Sequence, residues 1–164
     1  MSKLKLFLDG AELNQMIESS KDNNIQGFTT NPTLMKKSGV EDYESFAKEV
    51  IKSIPNKPIS FEVFSDEIYE MQKEAQVISG WGGLTYVKIP VMNTQGVPTY
   101  ELIKKLSDDG IPLNVTAVFT LEQVTNIFNN LNKDVPSIIS VFAGRIADTG
   151  IDPVPIMKSS KEII

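Results

Sequence analysis

The sequence predicts an α/β fold of the (β/α)8 TIM-barrel type, with six βα units present in this chain, an incomplete barrel. Three observations predict it. Six short β-type runs alternate with helical patterns along all 164 residues, and such alternation builds right-handed βαβ units around a parallel sheet. The runs then break the rule for parallel strands, which are covered on both faces and almost wholly apolar, because each brings a polar side chain towards its C-terminal end. Finally, this recurs in strand after strand. An open sheet offers a crevice at one switch point and uses two or three strands, whereas a barrel gathers every C-terminal strand end around one mouth.

The elements follow in order. The first run is Lys5–Asp9, followed by a helical stretch over Glu12–Ser20. The second run, Ile25–Thr30, leads into Asn31-Pro32, a good turn or a helix entry at Pro32. A helix over Asp42–Ile54 precedes the third run, Ile59–Phe64. The next helix, Glu67–Ser79, is amphipathic, with Ile68, Met71, Ala75 and Ile78 on one face. Trp81, among Gly80, Gly82 and Gly83, reads as packing at the turn into the fourth run, Leu84–Pro90. A helix over Tyr100–Ser107 ends before Gly110, and Asp108-Asp109-Gly110 turns into the fifth run, Leu113–Val118. Thr120 and Gln123 form a capping box for the helix Leu121–Leu131. The sixth run, Ile138–Ala143, and a helix over Pro155–Ile164 complete the chain, read as one domain over residues 1–164.

Composition narrows the chemistry. A net charge of −5 argues against a broad nucleic-acid or anionic-membrane surface. Cysteine and histidine are both absent, which removes disulfides, thiolate metal sites, the commonest general base and any Ser-His-Asp triad. Acid–base work falls to Asp, Glu, Lys, Tyr or water. No Gly-x-Gly-x-x-Gly or P-loop lysine is present, so nucleotide binding is unsupported. Met1-Ser2-Lys3-Leu4-Lys5 shows no signal-peptide pattern, and no apolar run approaches the ~20 residues that span a bilayer, so a cytoplasmic protein is expected.

Lys88 carries most of the functional information. It sits in Leu84-Thr85-Tyr86-Val87-Lys88-Ile89-Pro90-Val91, where burial makes the charged amine costly and favours the neutral nucleophile. Such a lysine forms a Schiff base with a carbonyl substrate. By the period of two, Phe7 shares a face with Asp9, Ser60 with Glu62, Tyr86 with Lys88, Asn114 with Thr116 and Ser140 with Phe142.

Each polar residue also has a plainer reading. Asp9 before Gly10 suits a turn or a helix N-cap. Glu62 suits a structural ion pair with Lys88, and Ser140 a core hydroxyl. Asn114-Val115-Thr116 matches a glycosylation sequon but falls within a strand. Arg145 suits a surface charge, yet it is the one arginine among 16 basic residues, a bidentate fork placed just beyond the sixth strand. Together the plainer readings need six coincidences at the same strand ends.

These segments resemble the transaldolase family, in its short bacterial-type transaldolases and fructose-6-phosphate aldolase-like members. The resemblance is carried by Phe7-Leu8-Asp9-Gly10, Gly27-Phe28-Thr29-Thr30-Asn31-Pro32-Thr33-Leu34, Ile59-Ser60-Phe61-Glu62-Val63, Tyr86-Val87-Lys88-Ile89-Pro90-Val91, Leu113-Asn114-Val115-Thr116-Ala117 and Ser140-Val141-Phe142-Ala143-Gly144-Arg145-Ile146. It implies a class I aldolase on a (β/α)8 barrel with no metal or organic cofactor, transferring a dihydroxyacetone unit between sugar phosphates in the pentose phosphate pathway, the alternative being direct aldol cleavage like that of fructose-6-phosphate aldolases.

It further implies that Lys88 forms the imine and that Asp9 takes the C4 hydroxyl proton. Glu62 with Thr116 would hold a water that moves protons. Asn31 and Asn114 would bind substrate hydroxyls, Ser140 would add a polar contact, Phe142 would line the wall and Arg145 would bind phosphate. Glu62 and Phe142 look like the transaldolase pattern, since the aldolases tend to carry Gln and Tyr there.

The family's seventh and eighth strands have no counterpart here. The expectation is therefore a fragment, a split protein completed by a partner, or a decayed relative acting as an assembly subunit. The first and sixth strands are expected to be open edges. Homo-oligomers are expected by analogy.

Overall fold

The computed structural model describes residues 5–164, so the Met1–Leu4 part of the N-terminal reading lies outside the described residues. The chain folds as β1 (Leu6–Asp9), α1 (Leu13–Ser20), β2 (Ile25–Thr29), α2 (Pro32–Lys37), α3 (Tyr43–Ser53), β3 (Ile59–Glu62), α4 (Ile68–Ser79), β4 (Thr85–Pro90), α5 (Tyr100–Asp108), β5 (Leu113–Val118), α6 (Leu121–Asn130), β6 (Ser137–Val141), α7 (Ala143–Asp148) and α8 (Val154–Ile163).

The six strands are parallel and lie in sequence order, each beside the next, as successive βα units require. The sheet curls into a half-barrel, an incomplete (β/α) barrel. Among the described residues β1 and β6 each have one strand neighbour, so both are edges, as expected.

Burial follows from this position. Every residue of β3 is buried except its last, Glu62, which is half-buried, whereas β6 is half-buried throughout and β1 is largely exposed. Leu6 and Leu8 of β1 are 47% and 38% exposed.

The two faces of the sheet do different work. Phe61, Val87, Ile89, Leu113 and Val115 point towards the helices and, with Met71, Ala75, Ile78, Ile103, Leu106, Val124 and Ile127, make the core. Ser60, Glu62, Tyr86, Lys88, Asn114 and Thr116 alternate with them, point into the half-barrel and are polar. Phe7 is an inner-face exception, and its ring lies against Gly27. A Cβ at Gly27 would meet that ring and stand 2.8 Å from the Pro58 carbonyl, so glycine is required there.

Helix ends follow local chemistry. Thr120 and Gln123 form the predicted reciprocal capping box of α6. Met71, Ala75 and Ile78 of α4 are buried as their spacing predicts. Gly110 follows α5 with φ of 81°, a left-handed conformation that suits glycine.

Two short helices, α2 and α7, lie outside the sequence reading. Helix α2 is one and a half turns held by an Asn31 cap and Pro32 at its start, the helix-entry alternative for Asn31-Pro32. Helix α7 has no side-chain cap and carries Gly144 in its first turn, so its propensity signal is weak. The sixth strand accordingly ends at Val141, and Phe142 lies beyond it with ψ of 64° instead of sharing a strand face with Ser140.

Candidate active site

Strand register assembles the site. Glu62 on β3 pairs with Lys88 on β4, and Lys88 pairs with Asn114 on β5. Asp9 on β1 pairs with Thr29 on β2. In a parallel sheet, register partners on one face bring their side chains together. The result is a cavity of about 710 Å³ at the C-terminal strand ends. Its walls include every residue named from the sequence: Asp9, Asn31, Glu62, Lys88, Asn114, Thr116, Ser140, Phe142 and Arg145.

Lys88 is 8% exposed. Its Nζ lies 3.2 Å from Glu62 Oε2 and donates to the Thr30 carbonyl at 3.3 Å. Burial opposes charge on the Glu62 carboxyl, while the neighbouring Lys88 favours it. For Glu62 burial is the larger influence and Asp9 reinforces it, so its carboxyl is held above the usual 4.5 although Lys88 acts in the opposite direction. A carboxyl shifted upward holds its proton more readily than a free one.

Asp9 is neither a turn former nor the cap of α1, which is Glu12. Its Oδ1 accepts from Thr29 Oγ1 at 2.8 Å and its Oδ2 from Asn31 Nδ2 at 3.2 Å. Asn31 is itself fixed, because its Oδ1 accepts the Leu34 N–H at 2.9 Å as the cap of α2. One amide thus caps a helix and orients a carboxylate.

A second chain of bonds crosses the half-barrel. Ser140 Oγ donates to Asn114 Oδ1 at 2.7 Å, and Asn114 Nδ2 donates to Ser60 Oγ at 3.0 Å. This holds the Asn114 amide in one orientation with a donor and an acceptor position left over. The Ser140 hydroxyl is therefore part of a network.

Thr116 is 2% exposed and its Oγ1 has no hydrogen-bond partner among the described residues. Next to it, Ala117 has a φ of 57° where β5 bulges against β6, an unfavourable conformation for a residue with a Cβ. Phe142 meets Phe119 edge-on with ring centroids 5.7 Å apart. Arg145, on α7, reaches the cavity rim with its side chain 74% exposed and 3.4 Å from Asp148.

Thr29, Thr30 and Ser60 join the site beyond the residues expected from the sequence. Their signal was present: Thr29 and Thr30 open the Thr-Thr-Asn-Pro segment, and Ser60 alternates with Glu62. Among the described residues, no group of three or more carboxylates converges to hold a metal. No described helix is long and apolar enough to cross a membrane.

The family described as Transaldolase/Fructose-6-phosphate aldolase matches residues 6–164, nearly all of the described chain. The chain belongs to this family. A "Probable transaldolase" of Dehalococcoides mccartyi is 33% identical over 149 residues, covering 91% of this chain and 65% of that protein. "Probable transaldolase 2" of Listeria monocytogenes is 34% identical over 161 residues, covering 98% of this chain and 69% of that protein. A "Probable transaldolase" of Streptococcus equi subsp. zooepidemicus is 35% identical over 161 residues, with 98% and 71% covered. The chain spans about two thirds of the length of these curated relatives. The family is one of aldolases and transaldolases, so membership points to an enzyme.

Proposed function

We propose that this chain carries the active centre of a transaldolase, which moves a dihydroxyacetone unit between sugar phosphates through a Schiff base on Lys88. The observation that carries the reading is a buried primary amine at the strand ends, 3.2 Å from a carboxyl held above its usual range.

The neutral Lys88 amine adds to C2 of a ketose phosphate. The carbinolamine then loses water, with Glu62 and a water against Thr116 carrying protons; such a water would also satisfy the buried Thr116 hydroxyl. Asp9, oriented by Thr29 and Asn31, takes the C4 hydroxyl proton. The C3–C4 electron pair flows into the iminium, and an aldose phosphate leaves. The resulting enamine attacks an acceptor aldehyde, Asp9 returns the proton, and water releases the new ketose phosphate. Asn31 and Asn114 bind hydroxyls of the three-carbon unit, Ser140 fixes Asn114, Phe142 walls the pocket and Arg145 binds phosphate.

Transfer is favoured over simple aldol cleavage by Glu62 and Phe142. A titratable carboxyl and a side chain without a hydroxyl stand on the two sides of the pocket, which leaves the enamine without a phenol to protonate it. A role in the pentose phosphate pathway, in the cytoplasm, belongs to the same reading.

The test is incubation of the purified chain with fructose 6-phosphate, with and without erythrose 4-phosphate. The reading predicts a seven-carbon ketose phosphate only when the acceptor is present. Free dihydroxyacetone formed equally well without acceptor would replace transfer by cleavage.

A further inference from the structure

The carbonyl of Glu62 occupies an unusual place in the strand ladder. Between β2 and β3 the Phe28 N–H donates to the Pro58 carbonyl at 2.9 Å, and the Thr30 N–H donates to the Ser60 carbonyl at 3.0 Å. The next step of that series would be residue 32 donating to Glu62. Residue 32 is Pro32, which has no N–H and already starts α2. The Glu62 carbonyl therefore lacks a ladder partner on the β2 side, while on the other side the Val63 N–H still donates to the Lys88 carbonyl at 3.1 Å.

Tyr43, the first residue of α3, fills that step. Its hydroxyl donates to the Glu62 carbonyl at 2.9 Å. Its ring meets Phe61 at 6.1 Å, Phe64 at 4.8 Å and Trp81 at 5.0 Å between centroids, all edge-on. Phe61 and Phe64 flank Glu62 on the same segment, so one side chain clamps this stretch by its ring and by its hydroxyl. Burial also holds the Tyr43 phenol well above its usual ionisation range, so it remains a donor at any working pH.

We propose that Tyr43 is a positioning residue for Glu62, its phenol replacing the strand bond that Pro32 cannot make and so fixing the carboxyl against the Lys88 amine. This rests on the transaldolase reading for its catalytic consequence, but the positioning itself does not.

Tyr43→Phe removes the hydroxyl and keeps the ring. Two readouts separate the claims. The first is the rate of borohydride-trapped adduct formation from fructose 6-phosphate, measured against sugar concentration. It is expected to fall roughly tenfold at saturation with half-saturation unchanged, since small displacements at a reacting centre cost up to about 10²-fold in rate. The second is the ionisation midpoint of the Glu62 carboxyl, followed by carbon NMR with Lys88 and Asp9, the charges facing it, left intact. It is expected to move down towards the ordinary value as the loosened carboxyl gains water.

Unchanged rate and unchanged midpoint overturn the proposal. If the unaltered chain forms no adduct, the transaldolase reading fails while the Glu62 midpoint still decides the positioning. In the unaltered chain the Tyr43 hydroxyl proton should also give a slowly exchanging resonance with a cross-peak to the Glu62 segment. Its absence would overturn the proposal without recourse to a variant.

Discussion

Lys88 Nζ and Glu62 Oε2 stand 3.2 Å apart because Lys88 and Glu62 are register partners on adjacent parallel strands. At Glu62 burial opposes the charge that the neighbouring Lys88 favours, and the consequences can be measured one residue at a time.

Glu62 titrates above its usual value when the chain is folded, so the folded state binds its proton more tightly than the unfolded state. Stability from this group is therefore full below the ordinary carboxyl range, near 4.5, and is lost as pH rises through the higher folded value. The stability of the unaltered chain minus that of Glu62→Gln should fall across that interval, at no more than ~1.4 kcal/mol per pH unit. Urea unfolding of both proteins at several pH values checks this. A difference that rises with pH would mean that the Lys88 charge outweighs burial.

Asp9 is positioned by two donors and makes no hydrogen bond to Lys88 among the described residues, so the proposed mechanism separates imine formation from bond cleavage. Asp9→Asn should still give a trapped Lys88 adduct, now retaining all six carbons of fructose 6-phosphate. Cleavage should slow by about 10²–10⁴-fold, the usual contribution of a positioned general base. Adduct mass distinguishes the six-carbon from the three-carbon species.

Ala117 holds a left-handed conformation beside Thr116. Ala117→Gly relieves the Cβ conflict while adding freedom to the unfolded chain, so a gain of roughly 0.5–1 kcal/mol is expected in urea unfolding. A loss of stability would show that the methyl group contributes packing worth more than the strain.

Phe7 lies against Gly27 inside the half-barrel. Gly27→Ala should destabilise by about 1–3 kcal/mol, the usual result of overpacking, since the Pro58 backbone on the other side cannot yield easily. Thermal and urea unfolding measure it. An unchanged midpoint would indicate that the Phe7 ring swings into the open interior without penalty.

The strands and the faces of their residues were legible because period-two alternation is a property of a few adjacent residues. Asp9, Glu62, Lys88 and Thr116 could be assigned to one mouth before any coordinate was known. Two kinds of information were not local. Helices α2 and α7 are too short to show a period, and Gly144 weakens the second further. The partners of Asp9 depend on β1 lying against β2, which turns the Thr29 hydroxyl and the Asn31 amide inward together. Likewise the bond from Tyr43 to Glu62 joins residues on different elements, 19 positions apart, and no sequence pattern marks it. Ser60 was visible as an alternating residue, but its bond to Asn114, two strands away, follows only from the curl of the sheet.

The central claim is that the Lys88 amine is the group that bonds to substrate. Borohydride reduction in the presence of fructose 6-phosphate, followed by peptide mass spectrometry, tests it most directly. A reduced sugar adduct is expected on Lys88, absent from Lys88→Met, with the exposed lysines unmodified. An adduct carried by other lysines, or none on a folded chain, would contradict it.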